Sequence, residues 1–371
     1  MSFTRSFTGD SCNGLRHSGL RLAFDQVRVL VASTYVPFIE GGGRMIVRDL
    51  VSAVSERGHE VDTIEIPFLS VWDEMLDQIL ALRLIDVSDD ADVLVAIRPP
   101  SYALSHPNKR LWFIHHHRGA YDLWGTPWQD IPSTPEGIGV RDAIRGSDDI
   151  YLREAKQIFT NSQIVADRLH KFNGLEGTVL YPPLGHPERF YLAPAEDFVF
   201  YPCRITSHKR QRLAIEAAAH LASDVRVVIA GAPDHPGQLA PLEELIREHG
   251  LERRVELIAR WISEEEKAEL IARSAGVLYI PFDEDSYGYV TLEAFHAHKP
   301  VITCTDSGGT LEIIEDGVNG LVADPDAISL ARAIDALRSD PARAAAMGER
   351  AHEVLLEKGI NWDRVVDSLL G

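Results

Sequence analysis

The sequence predicts an α/β protein made of two doubly wound, Rossmann-like domains facing a central cleft. Three observations carry this. From Val27 onward, short valine-rich apolar runs alternate with segments of helical periodicity, the pattern of β-α-β units around a buried parallel sheet. The alternation stops once, at "LYPPLGHPERFYLAPAED", where four prolines and no periodicity mark a linker. A length of 371 residues is also more than one ordinary hydrophobic core organises.

The elements follow in order. "VRVLVAS" reads as a buried strand. After a glycine loop, Met45, Ile46, Leu50, Val51 and Val54 recur at helical spacing, and Gly58 suits a C-cap. "VDTIEI", "ADVLVAI", "RLWFIHH" and Gln157–Thr160 read as further strands with helices between them. Beyond the linker near 182–195, "DFVFYPC", "VRVVIAGAP", "RVELIAR", "GVLYIPF" and "PVITCT" read as strands. "QRLAIEAAAHLA", "PLEELIREHGL", "EEEKAELIARSA" and "LEAFHAHK" read as helices. The expected units are a disordered lead-in over 1–26, an N-terminal domain over 27–185 and a C-terminal domain over 195–355. A last helix over 356–371 is expected to pack back on the first domain. Ligands of such sheets sit at the carboxyl ends of the strands, so the cleft between the domains is the expected site.

Composition bounds the function. The chain is 45% hydrophobic and 25% charged, as in a soluble globular protein. No run of eighteen apolar residues suggests a membrane span. The first residues hold no continuous apolar core for a secretory signal. Three distant cysteines, Cys12, Cys203 and Cys304, suit free thiols in a reducing cytoplasm. The formal net charge of -19 disfavours nucleic acid as a partner. Against that background the basic cluster "RITSHKRQR", Arg204 to Arg212, stands out as a place for a small anion.

The stretch "DSYGYVTLEAF" holds two acids, Asp285 and Glu293, eight positions apart. In a continuous helix they would lie about 80° apart around the axis and about 12 Å along it. Paired hydrolytic carboxylates sit about 5–9.5 Å apart across one bond, so two acids gripping opposite ends of one long ligand fit better. Gly288 falls between a strand and a helix, where free N–H groups and a partial positive charge favour a phosphate. The amides near Tyr287, Gly288, Tyr289 and Val290 would then hold a diphosphate, with Ser286 beside them among the donor-binding residues. Glu293 would reach a ribose, and Asp285 sugar hydroxyls. The plain alternative is an N-cap and a solvated helix face. Arg204 and Lys209, just past the strand "DFVFYPC", could neutralise a diphosphate. Arg210 and Arg212 read instead as a solvated helix start.

Two further strand ends carry similar chemistry. "CTDSGGTLEII" repeats strand, glycine pair and helix, with Glu312 in the first helical turn. In the first domain, Gly41, Gly42 and Gly43 precede a helix, too late after the strand for a nicotinamide fingerprint. A phosphate or sugar acceptor near Gly41–Gly43 and Arg44 fits better. In "HHHR", successive side chains at a strand end alternate in direction, so three histidines cannot share one metal. One of them is expected to face the cleft.

Together these residues resemble the retaining glycosyltransferases of family 4, the glycosyl transferases group 1, which have the GT-B fold. "DSYGYVTLEA" resembles their E-x7-E signature, "CRITSHKR" their Arg…Lys pair, and "KPVITCTDSGGTLEIIEDGVNGLVADP" their best marked stretch. "EGGGRMIVRDL" and "FIHHHRGAYDLWGTP" resemble the family's glycine loop and histidine-bearing strand end. The likeness runs over nearly everything after residue 27.

The resemblance implies a hexose moved from a nucleotide-diphosphate sugar, a GDP- or UDP-sugar, to a hydroxyl of a glycan, lipid-linked or small-molecule acceptor. It implies Glu293 on the ribose, Asp285 on the sugar, Arg204 and Lys209 on the diphosphate, His115 near the transferred sugar and Trp261 near the base. It implies no cofactor and no metal, a cytoplasmic enzyme of polysaccharide biosynthesis, and at most peripheral contact with the inner membrane face. Asp285 replaces the family's usual glutamate, Ala259 a common glycine, and Arg44 a frequent acid. The alternatives are a GT-B sugar-nucleotide epimerase or phosphorylase, and a non-catalytic sugar-nucleotide binding protein.

Overall fold

The computed structural model describes residues 26–37 and 41–371. The expected lead-in lies outside them but for Gln26, as does Cys12. The first half runs β1 (Arg28–Tyr35), α1 (Gly42–Glu56), β2 (Glu60–Pro67), α2 (Met75–Arg83), β3 (Val93–Ala96) and β4 (Lys109–Phe113). It continues with α3 (Pro135–Arg153), β5 (Gln157–Thr160), α4 (Gln163–Asn173) and β6 (Thr178–Val179). The second half runs β7 (Phe198–Pro202), α5 (Gln211–Ala218), β8 (Arg226–Ala230), α6 (Ala240–Glu248), β9 (Val255–Ile258) and α7 (Glu264–Arg273). β10 (Gly276–Leu278), α8 (Tyr289–His296), β11 (Val301–Cys304) and β12 (Gly320–Ala323) follow, then α9 (Ala327–Ser339), α10 (Pro341–Lys358) and α11 (Trp362–Leu370).

The strands form two six-stranded sheets, ordered β2-β1-β3-β4-β5-β6 and β12-β11-β10-β7-β8-β9. Every strand pair is parallel. These are two Rossmann-like domains, and the sequence shows why. β3 and β7 are buried at every position, which only a sheet covered on both faces permits. The helices between are started by side-chain caps. Thr134, Ser162 and Ser263 accept from the third residue of α3, α4 and α7, removing an orphan donor each time. Left-handed Gly174 and Gly359 end α4 and α10.

One core wraps the second sheet, and smaller ones fill the two faces of the first. The proline-rich segment between the sheets carries only a short turn at Pro187–Arg189. α11 returns to the first sheet's layer. Its Val365, Val366 and Leu369 share a cluster with Val29, Leu50 and Val54. Trp362 meets Trp112 edge-on at 6.0 Å.

Three local expectations are corrected. β4 stops at Phe113, so His115–Arg118 leave the sheet as a loop rather than as its end. After Gly308 and Gly309 there is no helix but one 3-10 turn, Gly309–Glu312. The Asn319 side chain accepts from Glu315 N and donates to Ile313 O, replacing the bonds a helix would make. α8 is not amphipathic. Thr291, Leu292, Glu293, Ala294 and Phe295 are all buried, so Glu293 has no solvated face.

Candidate active site

The carboxyl ends of both sheets open on one cavity of about 450 Å³. Segments following β1, β3, β4, β5, β7, β8, β9 and β10 contribute to it. It is lined by Gly41, Gly42, Gly43, Arg44 and His115 from the first domain, and by Arg204, Lys209, Trp261, Asp285 and the run from Ser286 to Val290 from the second. Glu293 also lines it. All the site residues singled out in the sequence meet there, except the Gly308–Gly309 turn and Glu312. Glu312 instead accepts from Gln163 N at 2.9 Å and Ile164 N at 2.8 Å, capping α4 from the opposite domain.

Gly288 is required by its own backbone and by a neighbour. Its φ is 71°, and a Cβ there would lie 2.3 Å from the Tyr279 ring. That closeness packs the start of α8 against the end of β10. Tyr287 is fixed behind it, its hydroxyl donating to Pro182 O at 2.6 Å. Tyr289 reaches across the cavity floor, where a Cβ at Gly42 would lie 3.2 Å from its ring.

Glu293 is 2% exposed. Its Oε1 accepts from Lys267 Nζ at 2.6 Å, while its Oε2 is buried without a hydrogen-bond partner. Burial raises the carboxyl's pKa against the pull of Lys267. Lys267 also holds Glu264 at 2.9 Å. A buried carboxylate oxygen left open is expensive unless a ligand hydroxyl completes it.

The basic cluster splits. Arg204 lies half exposed, 2.9 Å from Asp234. Lys209 is buried, over the Tyr279 ring, with Nζ on Glu284 and 3.2 Å from the Tyr279 hydroxyl. Burial pushes the Lys209 ammonium down, but Glu284 outweighs it and the pKa rises. Arg210 is no solvated helix start. Its guanidinium bonds Asp306 twice at 2.9 Å, and Ile280 O and Pro281 O besides, so it pins the β10 and β11 loops together. Arg212 pairs with Glu216 on the surface.

The three histidines go three ways. His115 lines the cavity, and its Nδ1 donates to His116 O at 2.6 Å, leaving Nε2 for a ligand. Burial and then Arg98 push its pKa down to about 3, so the ring is neutral. His116 bonds Asn173, and His117 faces Asp130 at 3.2 Å. Trp261 is 59% exposed at the rim.

Asp285 is expected on sugar hydroxyls, yet its carboxylate is held from the first domain. Oδ1 contacts Arg168 Nη1 and lies 3.5 Å from Arg118 Nε. Arg168 and Arg118 also hold Asp283, at 2.8 and 3.3 Å. Asp122 joins them, 2.6 Å from Arg118. Glu284, one residue earlier, is the acid on Lys209 and on the Tyr279 hydroxyl.

Sequence reasoning missed Arg98, Arg168 and Lys267, and read Arg118 only as part of the histidine run. Arg98 had a signal, since it follows the strand "ADVLVAI" directly. Lys267 and Arg168 had none, because each looks like an ordinary charge on a solvated helix.

Comparisons with known proteins agree with this fold. The family described as "Glycosyl transferases group 1" matches residues 188–354. An alpha-maltose-1-phosphate synthase of Mycolicibacterium smegmatis is 30% identical over 275 residues, 70% of this chain and 68% of that protein. The chain spans less than two thirds of the length of the further curated relatives, 40% in one case. A sucrose-phosphate synthase structure from Thermosynechococcus elongatus superposes with a TM-score of 0.74 at 18% identity, over 91% of this chain and 96% of that one. The Anabaena Alr3699/HepE structure in complex with UDP and glucose gives 0.67 at 18%, over 93% and 99%. Both share the GT-B arrangement of two Rossmann-like domains. The chain belongs to the glycosyl transferases group 1 family.

Proposed function

We propose that this glycosyltransferase moves a hexose, with retention of anomeric configuration, from a nucleotide-diphosphate sugar to an acceptor hydroxyl in the cleft. The observation that carries the reading is the open Oε2 of Glu293, buried one turn inside a helix whose glycine-marked N-terminus lines the same cavity. A ribose hydroxyl completes Oε2. The diphosphate then lies over Gly288, within reach of Lys209 and Arg204, and the base extends toward exposed Trp261. The sugar falls against the acidic pair Glu284–Asp285, with His115 Nε2 on its far side.

In the transfer, the anomeric C–O bond to the diphosphate breaks and the nucleoside diphosphate leaves with the electron pair. The acceptor oxygen forms the new bond from the same face, and its proton passes to the departing phosphate oxygen. Arg204 and Lys209 stabilise the charge that builds there. A neutral His115 can accept from a sugar hydroxyl without opposing positive charge on the ring.

The Anabaena structure is a complex with UDP and glucose, so a UDP-sugar is the first donor to try. Thermal shift over UDP-, GDP- and ADP-sugars identifies the nucleotide, since a ligand at 100 times its Kd stabilises by about 2.7 kcal/mol. Proton NMR of the product from that donor then gives the anomeric configuration. A retained configuration is expected; an inverted product, or no transfer with any acceptor, overturns the reading. Arg204→Ala and Lys209→Ala are each expected to lower kcat roughly 10²-fold, for a lost contact of about 2.7–4 kcal/mol.

Turnover is expected to survive EDTA, because Asp283, Glu284 and Asp285 are already engaged by Arg168, Arg118 and Lys209. Loss on chelation with recovery on Mg²⁺ would make that stretch a metal site.

A further inference from the structure

β4 and β5 lie side by side in the first sheet, with Phe113 paired to Thr160. Each strand delivers one polar side chain to the cavity just past its end. From β4 it is His115, and from β5 it is Asn161. The Asn161 backbone N–H donates to Phe113 O at 3.3 Å, which holds the two chain segments together as they leave the sheet.

Asn161 is 5% exposed, yet its side chain makes no hydrogen bond among the described residues. Its Oδ1 is fully buried and open. The next residue is the opposite case. Ser162 Oγ accepts from Val165 N at 3.1 Å and donates to Asp285 O, so its bonding capacity is used. Buried polar atoms are nearly always paired. Packing alone does not call for asparagine here, because leucine has the same branching and would fill the wall with no polar atom to satisfy. The open carboxamide therefore points to a ligand taken up by the cavity.

Charge and placement say which part of a ligand this is. A carboxamide is neutral, with one oxygen that accepts and one nitrogen that donates. Beside it the neutral His115 ring keeps Nε2 open. Two neutral groups side by side suit hydroxyls. The Ser162 bond to Asp285 O sets Asn161 against the loop between β10 and Gly288. A sugar carried by a diphosphate over Gly288 falls in that corner. Asp285 Oδ1 is engaged there by Arg168 and Arg118, whereas the polar atoms of Asn161 are free. We infer that Asn161 selects the transferred sugar by binding one of its hydroxyls, with Oδ1 accepting and Nδ2 donating to a neighbouring oxygen. This rests on reading the cleft as a glycosyl-transfer site, and it gives the first domain a part in choosing the donor.

The test is binding, with the donor that the thermal-shift screen picks out; UDP and UDP-glucose are the first pair tried. Wild type, Asn161→Leu and the smaller Asn161→Ala are titrated with both by calorimetry. UDP affinity is expected to stay within about twofold in all three proteins, while UDP-glucose loses roughly fivefold or more in both variants. The 2-, 3-, 4- and 6-deoxy analogues of UDP-glucose are then compared. One of them should bind wild type at least about tenfold more weakly than UDP-glucose, since a site that bonds a hydroxyl rejects the analogue lacking it. That same analogue should match UDP-glucose within about twofold in Asn161→Leu, which closes a double-mutant cycle between residue and hydroxyl. A role in folding alone would leave the analogue pattern as in wild type. An unchanged pattern in both variants overturns the inference. Loss of UDP affinity in both variants also overturns it, because Asn161 would then serve the nucleotide. Equal UDP-glucose affinity in all three proteins does the same, because the transferred sugar would not touch it. If UDP, GDP and ADP all fail to bind wild type, the glycosyl-transfer reading falls and the inference with it. If a nucleotide binds and the analogue pattern does not move, only the role of Asn161 falls.

Discussion

Glu284 and Asp285 are neighbours in one loop, and their carboxylates serve different partners. The family resemblance puts Asp285 on the sugar. The geometry instead places its Oδ1 against Arg168 and near Arg118, and gives Glu284 to Lys209 at the expected diphosphate position. Each carboxylate is engaged through one oxygen, Asp285 by guanidiniums of the first domain and Glu284 by Lys209 and the Tyr279 hydroxyl beside Gly288. Glu284→Gln is therefore expected to cut kcat by roughly 10²-fold while nucleoside-diphosphate affinity stays as in wild type. Asp285→Asn is expected to cut transfer less and to raise KM more, as a loosened contact between domains would. Steady-state kinetics with parallel calorimetry decides. A dead Asp285→Asn beside an active Glu284→Gln would return the sugar to Asp285. What the sequence showed of this site was the local part. Gly288 and Glu293 sit within one short motif on one helix, so their meeting follows from spacing alone. Lys267 lies 2.6 Å from Glu293 but on another helix, and Arg168 reaches Asp285 from the other domain. No periodicity signals contacts of that range in a chain where a quarter of the residues are charged.

Among elements, α8 carries most of the proposed donor contacts. It was legible as a helix after a glycine, but its burial on every side was not, because α10 packs on it from about 50 residues further along the chain. Gly288→Ala would force a side chain into a left-handed backbone and into the Tyr279 ring. A loss of about 1–3 kcal/mol from backbone strain alone is expected, read as a lower midpoint in urea with the slope unchanged. At its other end, His296 lies 5.9 Å from His352, which stacks on His298 at 4.1 Å, and His298 bonds Glu349. Burial, then His352 and His298, push the His296 pKa down to about 4. The unfolded chain binds this proton near pH 6.5, so the stability it contributes is present above pH 6.5 and is lost as pH falls toward 4. The slope reaches at most about 1.4 kcal/mol per pH unit for one group. His296→Gln should flatten the fall in Tm between pH 6.5 and 5. An unchanged profile would show that the other depressed histidines, His115, His116 and His208, carry it.

At the scale of the whole molecule, the β-α-β alternation and the proline break sufficed to give two sheets, because parallel sheets write their burial into every strand. How the halves close was hidden. The closure gathers at α4, where Ser162 Oγ donates to Asp285 O, Glu312 caps the helix start, and Arg168 spans to Asp283 and Asp285. Removing one partner of such a part-buried set costs about 3–5 kcal/mol, because the others are left uncompensated. Arg168→Met is expected to open the cleft, seen as a larger radius of gyration in small-angle scattering. Turnover should fall with nucleoside-diphosphate affinity kept, since the proposed donor contacts lie in the second domain. An unchanged radius with normal turnover would remove α4 from the closing contact.

In the proposed function the second domain holds a sugar nucleotide by its diphosphate and by a ribose on Glu293 Oε2. Calorimetric titration of UDP, GDP and ADP into wild type and Glu293→Gln tests it most directly. One of the three should bind wild type and lose roughly 10- to 100-fold in affinity on substitution, as expected for a hydrogen bond to a charged group worth about 1.5–3 kcal/mol. Absence of binding by all three, or equal affinity in the variant, would contradict it.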